Sequence, residues 1–312
     1  MLEGVMLLWF IQVAIATVFV AADIRTTPEA TVMKWGFVII TLFSGLFGAL
    51  LYVLSCREPL PGTHELYVAA KWRQVVGSTM HCVAGDGIGI LAAAVITSRL
   101  GLPMWADVLC EYALGFLFGW SVFQALFMKS MFGSYMDSLR NTFMAELLSM
   151  NAVMSGMTAV MVPWMTGDML AMSPVGPRFW FVMSVALCAG FVVALPMNWW
   201  LVDHGLKHGM MTIRPEGSPV PRVAAVALAA AALSGHHDSG LGGIEHSMAT
   251  VHQGAHEHHG DAPSMVSPEH QGHARGRPAS RSQLGVMTAI SFLIFGAGFL
   301  VAAIFGDLTM YH

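Results

Sequence analysis

The hydrophobic positions of this chain fall into long stretches that are separated by shorter polar segments. A helix needs about 20 mostly apolar residues to cross the roughly 30 Å of hydrocarbon in a bilayer. Seven stretches approach that length, and we predict a transmembrane helix in each. The predicted spans cover residues 7–22, 35–54, 81–96, 105–127, 143–165, 179–202 and 284–305.

The composition agrees with a membrane protein, because 55% of the residues are hydrophobic and 11% are charged, whereas soluble domains average about 25% charged residues. We predict an all-α, polytopic helical membrane protein whose first partner is the lipid bilayer. The net charge of −4 lacks the basic footprint that nucleic acid requires, so we expect no nucleic-acid partner. The 32 glycines allow close helix packing, which suits a homo-oligomer or a complex with another membrane protein.

The spans and the composition between them divide the chain into five parts. We predict a helix pair at 1–56, an interfacial linker at 57–78, a four-helix membrane module at 79–210, an Ala-rich and then His-rich loop at 211–283, and a C-terminal helix at 284–312. The His-rich part of the loop nearly lacks aromatic residues and cannot bury a core, so we predict that it is disordered.

Lysine and arginine are unevenly shared between the two sides that seven spans would create. Eleven fall on one side, and the other side has four, namely Arg25, Lys34, Arg99 and Arg178. Cytoplasmic loops of membrane proteins are enriched in these residues. We therefore predict that the N-terminus and the His-rich loop are cytoplasmic and that the C-terminus is outside.

Two motifs in the predicted four-helix module carry a family resemblance. The chain reads MHCVAGDGIG at 80–89 and VALPMNWWL at 193–201, after Phe179-Trp180 and before His204, Gly205 and His208. Over roughly residues 79–210 it resembles a bacterial integral-membrane family known as domain of unknown function 4396. The resemblance implies a four-helix membrane module in a bacterial inner (plasma) membrane, and it names no reaction.

The first candidate site lies at the start of the third predicted span. Cys82 and Asp86 are four residues apart and share one face of a helix, and His81 precedes them. Imidazole, thiolate and carboxylate are all metal donors, and ionisable groups inside a membrane are usually functional. The alternative is a helix end, with His81 at the water interface and Asp86 hydrogen-bonded to a neighbouring helix.

The second candidate site is a stripe on the fifth predicted span. One helix face carries Glu146, Met150, Met154, Met157 and Met161. Thioethers are soft ligands that suit Cu(I), although methionine also packs irregular gaps in cores. A buried carboxylate must be protonated or paired, and no Lys or Arg lies within this span or the one before it.

Histidines supply two further candidate metal sites. His204 and His208 are four residues apart near the end of the sixth span and could share an ion on a helix face, unless this region is an interfacial cap in which Lys207 extends to the membrane surface. The loop holds a denser set, which suits metal capture, a neutral linker or pH sensing. Its candidate ligands are His236, His237, His252, His256, His258 and His259.

Three functional hypotheses follow from these residues. The first is a protein that transports, delivers or buffers metal ions, with copper or zinc as the bound ion. Pro163 and Pro196 would then supply the broken helices that often flank a transport site. The second is an assembly or partner subunit, and the third is an intramembrane redox protein that uses Cys82. We find no catalytic motif, and a non-enzymatic role is favoured.

Overall fold

The computed structural model describes residues 2–60, 62–210, 212 and 278–311, without the side chains of residues 130 and 131. The predicted all-α class is confirmed. The helices are α1 (Leu2–Asp23), α2 (Thr31–Ser44), α3 (Leu46–Ser55), α4 (His64–Val68), α5 (Lys71–Thr97), α6 (Met104–Phe118), a π-helical turn (Gly119–Gln124), α7 (Ala125–Phe132), α8 (Tyr135–Gly167), a 3₁₀ turn (Met169–Ala171), α9 (Pro177–Asp203) and α10 (Arg281–Phe305).

Among the described residues, six helical segments are long and apolar enough to cross a membrane. They are α1, α5, the continuous segment Met104–Lys129, α8, α9 and α10. The most hydrophobic windows of α5 and α8 are 78% and 83% buried, whereas those of α1 and α10 are 22% and 17% buried. The protein is therefore a multi-pass helical membrane protein with α5 and α8 in its centre and with α1 and α10 exposed at its periphery.

The second predicted span does not cross the bilayer as one helix. It is split at Gly45, whose φ of 59° is a backbone conformation that glycine adopts without the cost that a Cβ atom imposes. The backbone N–H of Leu46, which begins α3, donates a 2.6 Å hydrogen bond to Oε1 of Gln12. Because Gln12 lies in the middle of α1, the break between α2 and α3 is level with the middle of that helix.

The helix α3 returns to the side from which α2 starts. The Tyr52 hydroxyl donates a 2.7 Å hydrogen bond to Oδ2 of Asp23, and Arg57 Nε lies 2.8 Å from the same oxygen. The rings of Phe37 and Tyr52 are 5.7 Å apart, as antiparallel helices require. The pair α2–α3 is therefore a re-entrant hairpin, and the predicted crossing at 35–54 is wrong.

This hairpin changes the topology that seven spans implied. Since α2–α3 does not cross, the start of α1 and the end of α9 lie on opposite sides of the bundle. The cytoplasmic placement of the N-terminus and of the His-rich loop stays a prediction, and the loop itself lies outside the described residues. The break comes from Gly45 and not from Pro163 or Pro196, because α8 and α9 continue as helices through their prolines. The predicted stretch 223–233 and the predicted disorder lie outside the described residues.

Candidate metal centre

Three acidic side chains meet between the two central helices. Cys82 and Asp86 lie one turn apart on α5, and Glu146 projects from α8. One ligand atom from each lies within 4.8 Å of the other two, and all three residues are buried. The spacing in α5 follows from helical periodicity, whereas the approach of Glu146 depends on the packing of α8 against α5.

The Cys82 sulfur is the centre of this cluster. Its Sγ lies 3.3 Å and 3.4 Å from the two carboxylate oxygens of Glu146. It lies 3.5 Å from Oδ2 of Asp86 and 3.2 Å from the hydroxyl oxygen of Ser149. The thiol therefore lies among oxygen atoms, and together they could supply both sulfur and oxygen ligands to one metal ion.

Lys207 completes the cluster and was not predicted as part of it. Its Nζ lies 3.0 Å from Cys82 Sγ and 3.2 Å from Glu146 Oε2. The side chain is buried, with 2% of the residue exposed, so it does not extend to the membrane surface. The chain returns to the bundle after α9 through Gly205, whose φ is 67°, and this turn carries Lys207 inward.

The π-helical turn gives the two carboxylates room. A Cβ atom at Gly119 would overlap Oδ1 of Asp86 and would lie 2.9 Å from Oε1 of Glu146. Glycine is therefore the residue that this close approach requires. Oδ1 of Asp86 is buried and has no hydrogen-bond donor among the described residues. Irregular turns of this kind often occur at functional sites.

Two polar side chains, Ser149 on α8 and Asn198 on α9, form a hydrogen-bonded pair beside the thiol of Cys82. The Asn198 amide nitrogen donates to Oγ of Ser149 at 3.0 Å and to the carbonyl of Ala194 at 3.2 Å. Ser149 in turn contacts Cys82. The motif VALPMNWWL therefore reaches the cluster through Asn198, and the motif MHCVAGDGIG reaches it directly through Cys82 and Asp86.

The predicted methionine stripe is fully buried in the bundle. Its four methionines are at most 1% exposed, and they are Met150, Met154, Met157 and Met161. Two of them pack against glycines of neighbouring helices, where the missing side chain leaves room. Met150 packs against Gly115, and Met157 packs against Gly190. The stripe extends along α8 from Glu146 into the core, and packing accounts for its contacts.

The predicted histidine ligands of the membrane module lie elsewhere. The His81 ring packs against Phe127 and Phe123, with centroid distances of 4.9 Å and 5.5 Å. His204 stacks on Trp200 at 4.4 Å. Because α9 ends at Asp203, His204 and His208 do not share a helix face. The loop histidines, His236, His237, His252, His256, His258 and His259, lie outside the described residues.

The sequence contained no local signal for the role of Lys207, because it is 125 residues from Cys82 and follows the end of a helix. No curated protein and no solved structure matches this chain. A family model described as a domain of unknown function (DUF4396) matches residues 71–207. The match supports the resemblance, with a range slightly shifted from the predicted 79–210, and it contains Cys82, Asp86, Glu146 and Lys207.

Proposed function

We propose that this protein binds a divalent metal ion at Cys82, Asp86 and Glu146 and carries that ion through the membrane. The observation behind the proposal is that the cluster already holds a cation, the ammonium of Lys207, at 3.0 Å from Sγ and 3.2 Å from a carboxylate oxygen. In this mechanism an incoming metal ion takes over the contacts of the ammonium.

The donor atoms favour a borderline ion. Zn²⁺ is bound in proteins by thiolate, imidazole and carboxylate groups, and the cluster offers one thiolate and two carboxylates. Cu(I) prefers thiolate and thioether ligands, and the methionines of α8 have packing roles that account for their burial. We therefore expect Zn²⁺ or a similar divalent ion, with copper as the competing ion to be tested.

Formal charge also favours a divalent ion. When ionised, Cys82, Asp86 and Glu146 carry three negative charges, and Lys207 carries one positive charge, which leaves two negative charges. Uncompensated charge is costly in a membrane interior, so the empty site must hold two protons. A divalent ion neutralises the same charge, and metal binding releases protons from its ligands. The site therefore exchanges two protons for each bound ion.

The distribution of positive charges gives the orientation that we propose. With α2–α3 as a hairpin, nine lysines and arginines of the described residues lie on the side of Lys207, and two, Arg99 and Arg178, lie on the opposite side. Cytoplasmic surfaces are enriched in these residues. We infer a bacterial inner membrane with the Lys207 side in the cytoplasm and with both termini outside.

The test combines a spectrum with a transport assay on the purified full-length chain. Co²⁺ occupies Zn²⁺ sites and shows a thiolate charge-transfer band. The segment 213–277 has no cysteine and cannot contribute to that band. We expect Cys82→Ser to remove the Cys82 part of the band and to abolish Zn²⁺ uptake into proteoliposomes. Cys188→Ser is the matched control and leaves both unchanged.

The proton exchange has its own readout. Titration of the unbuffered protein with Zn²⁺ should release two protons per site, and Glu146→Gln should release fewer because one acid is gone. Equal uptake by wild type, Cys82→Ser and Glu146→Gln at equal protein levels would contradict the proposal. The partner hypothesis stays a prediction, because contact with lipid would equally explain the exposed apolar faces of α1 and α10. The redox hypothesis also stays a prediction.

A further inference from the structure

A second cluster of metal-ligating side chains lies at the open end of the α2–α3 hairpin. Glu29 precedes α2, Cys56 follows α3 and His64 begins α4. One ligand atom from each lies within 4.8 Å of the other two. All three residues lie outside the range 71–207 that the family model matches. No local sequence motif marks them, because the turn at Gly45 is what brings Glu29 and Cys56 together.

The surrounding hydrogen bonds orient the donor atoms toward one another. The His64 ring uses Nδ1 for a 2.8 Å hydrogen bond with the hydroxyl of Thr212. Its Nε2 faces Oε2 of Glu29 at 4.0 Å, while Oε1 of Glu29 accepts a 2.9 Å hydrogen bond from the backbone N–H of Ala30. Metal-binding histidines are usually held in this way, with the second ring nitrogen hydrogen-bonded to an oxygen.

This cluster differs from an ordinary surface ion pair because its three side chains are buried. Glu29 is 4% exposed, and Cys56 and His64 are 0% exposed. A Glu–His pair alone would explain two of the three groups. It would not explain a buried thiol within reach of both. Thiol, imidazole and carboxylate are together the ligand types of zinc sites.

We propose that Glu29, Cys56 and His64 form a second metal site for Zn²⁺ or a similar ion. In tetrahedral zinc sites with bond lengths of about 2.0–2.3 Å, ligand atoms lie roughly 3.3–3.8 Å apart, so the observed spacing needs only a small contraction. Three protein ligands leave a fourth position for water or an arriving ligand. Helix α2 begins at Thr31, two residues after Glu29. It packs on His81 at Gly36, which is about 7.5 Å from its first residue at a rise of 1.5 Å per residue.

The experiment removes the central site and asks whether a thiolate site remains. In a Cys82→Ser background, the full-length protein should still show a Co²⁺ thiolate band, and Zn²⁺ should displace the Co²⁺. Adding Cys56→Ser should abolish the band, whereas adding Cys110→Ser should leave it. No band in the Cys82→Ser background, or a band that survives Cys56→Ser, would overturn the proposal.

A second variant keeps the result interpretable if Cys56→Ser fails to fold. Thr212→Val leaves all three ligands in place and removes the hydrogen bond to His64. We expect Co²⁺ to bind about 10- to 100-fold more weakly, as for other lost partners of a ligating histidine. Unchanged affinity in Thr212→Val together with a band insensitive to His64→Gln would show that the imidazole binds no metal. Because Cys82 is absent throughout, failure here is distinct from failure of the central site.

Discussion

In the centre of the bundle Cys82 shares its cluster with an ammonium group, whereas at the hairpin Cys56 shares its cluster with an imidazole. Both clusters combine a buried thiol with carboxylate, yet different groups compensate their negative charge. Lys207 stays with the central cluster as a permanent cation. His64 can be neutral and ligate, or protonated and pair with Glu29. The central site must therefore displace the ammonium from its contacts as well as release protons, while the hairpin site can bind metal after losing protons alone.

The largest expected effect is the loss of the built-in cation. Lys207→Ala leaves the carboxylates of the central cluster without their partner, and breaking a buried pair costs about 3–5 kcal/mol. We expect a large drop in the melting temperature in detergent. Adding Zn²⁺ should raise the melting temperature of Lys207→Ala by more than it raises that of wild type. Lys71→Ala is the control, because Lys71 and Asp203 are 44% and 50% exposed and such pairs contribute about 0–1 kcal/mol.

An equal drop in Lys71→Ala and Lys207→Ala would contradict this expectation. If Zn²⁺ raised the melting temperature of Lys207→Ala by no more than that of wild type, the ammonium and the metal would not bind the same donor atoms. The hairpin cluster should keep its Co²⁺ thiolate band in Lys207→Ala, which separates the two sites.

The next effect concerns the space at the π-helical turn. Gly119→Ala places a methyl group on Oδ1 of Asp86, and overpacking of this kind costs about 1–3 kcal/mol. We expect a lower melting temperature and a weakened Cys82 band. Gly285→Ala in α10 is the control, because nothing lies within 4 Å of that position. A Gly119→Ala protein with full metal affinity at Cys82 would mean that Asp86 is not a ligand.

The hairpin turn should affect the other cluster. Gly45→Ala forces a residue with a Cβ atom into φ 59° and ψ −126°, a sparsely populated conformation that costs about 1–3 kcal/mol. We expect the Cys56 band to weaken while the Cys82 band stays. Gly101→Ala places a Cβ atom at a similar φ, 60°, in open space and should spare both bands. Loss of the Cys82 band alone in Gly45→Ala would reverse the assignment.

The smallest expected effect is in the methionine stripe. Met154→Leu nearly conserves volume, and such replacements usually cost less than about 1.5 kcal/mol. We expect both Zn²⁺ and Cu(I) affinities to stay at their wild-type values in equilibrium dialysis. A tenfold loss of Cu(I) affinity would show that the thioethers ligate, and the central site would then extend along α8.

Hydropathy predicted the six candidate membrane-spanning segments of the described residues because each contains a long apolar window. It could not predict the hairpin, since a run of apolar residues does not record the direction in which the chain continues. One signal was present in the charges. Two of the four positive residues on the minority side lie at the open end of the hairpin, Arg25 before α2 and Lys34 in its first turn. Placing them with the majority removes half of that exception and leaves Arg99 and Arg178.

Within the central site, the pair Cys82 and Asp86 was predictable because four residues make one helical turn. Glu146 was identified as a buried carboxylate that needed compensation, and its place beside Cys82 depends on tertiary packing. Lys207 was missed because the compensation comes from a turn beyond α9 and not from within the neighbouring spans. At the hairpin, neither Cys56 nor His64 lies in a motif, so only the fold brings them to Glu29.

Because Lys207 belongs to the same chain as the acids it contacts, it acts as a tethered competitor for the central site. Short tethers give effective concentrations on the order of mM, and the ammonium stays at that level whatever the surrounding solution contains. Ions that bond weakly to thiolate and carboxylate gain little by replacing it. The site therefore selects among metal ions because only an ion that bonds strongly to thiolate and carboxylate displaces the ammonium of Lys207. The length and stiffness of the turn at Gly205 would change this selectivity without any change to the ligands.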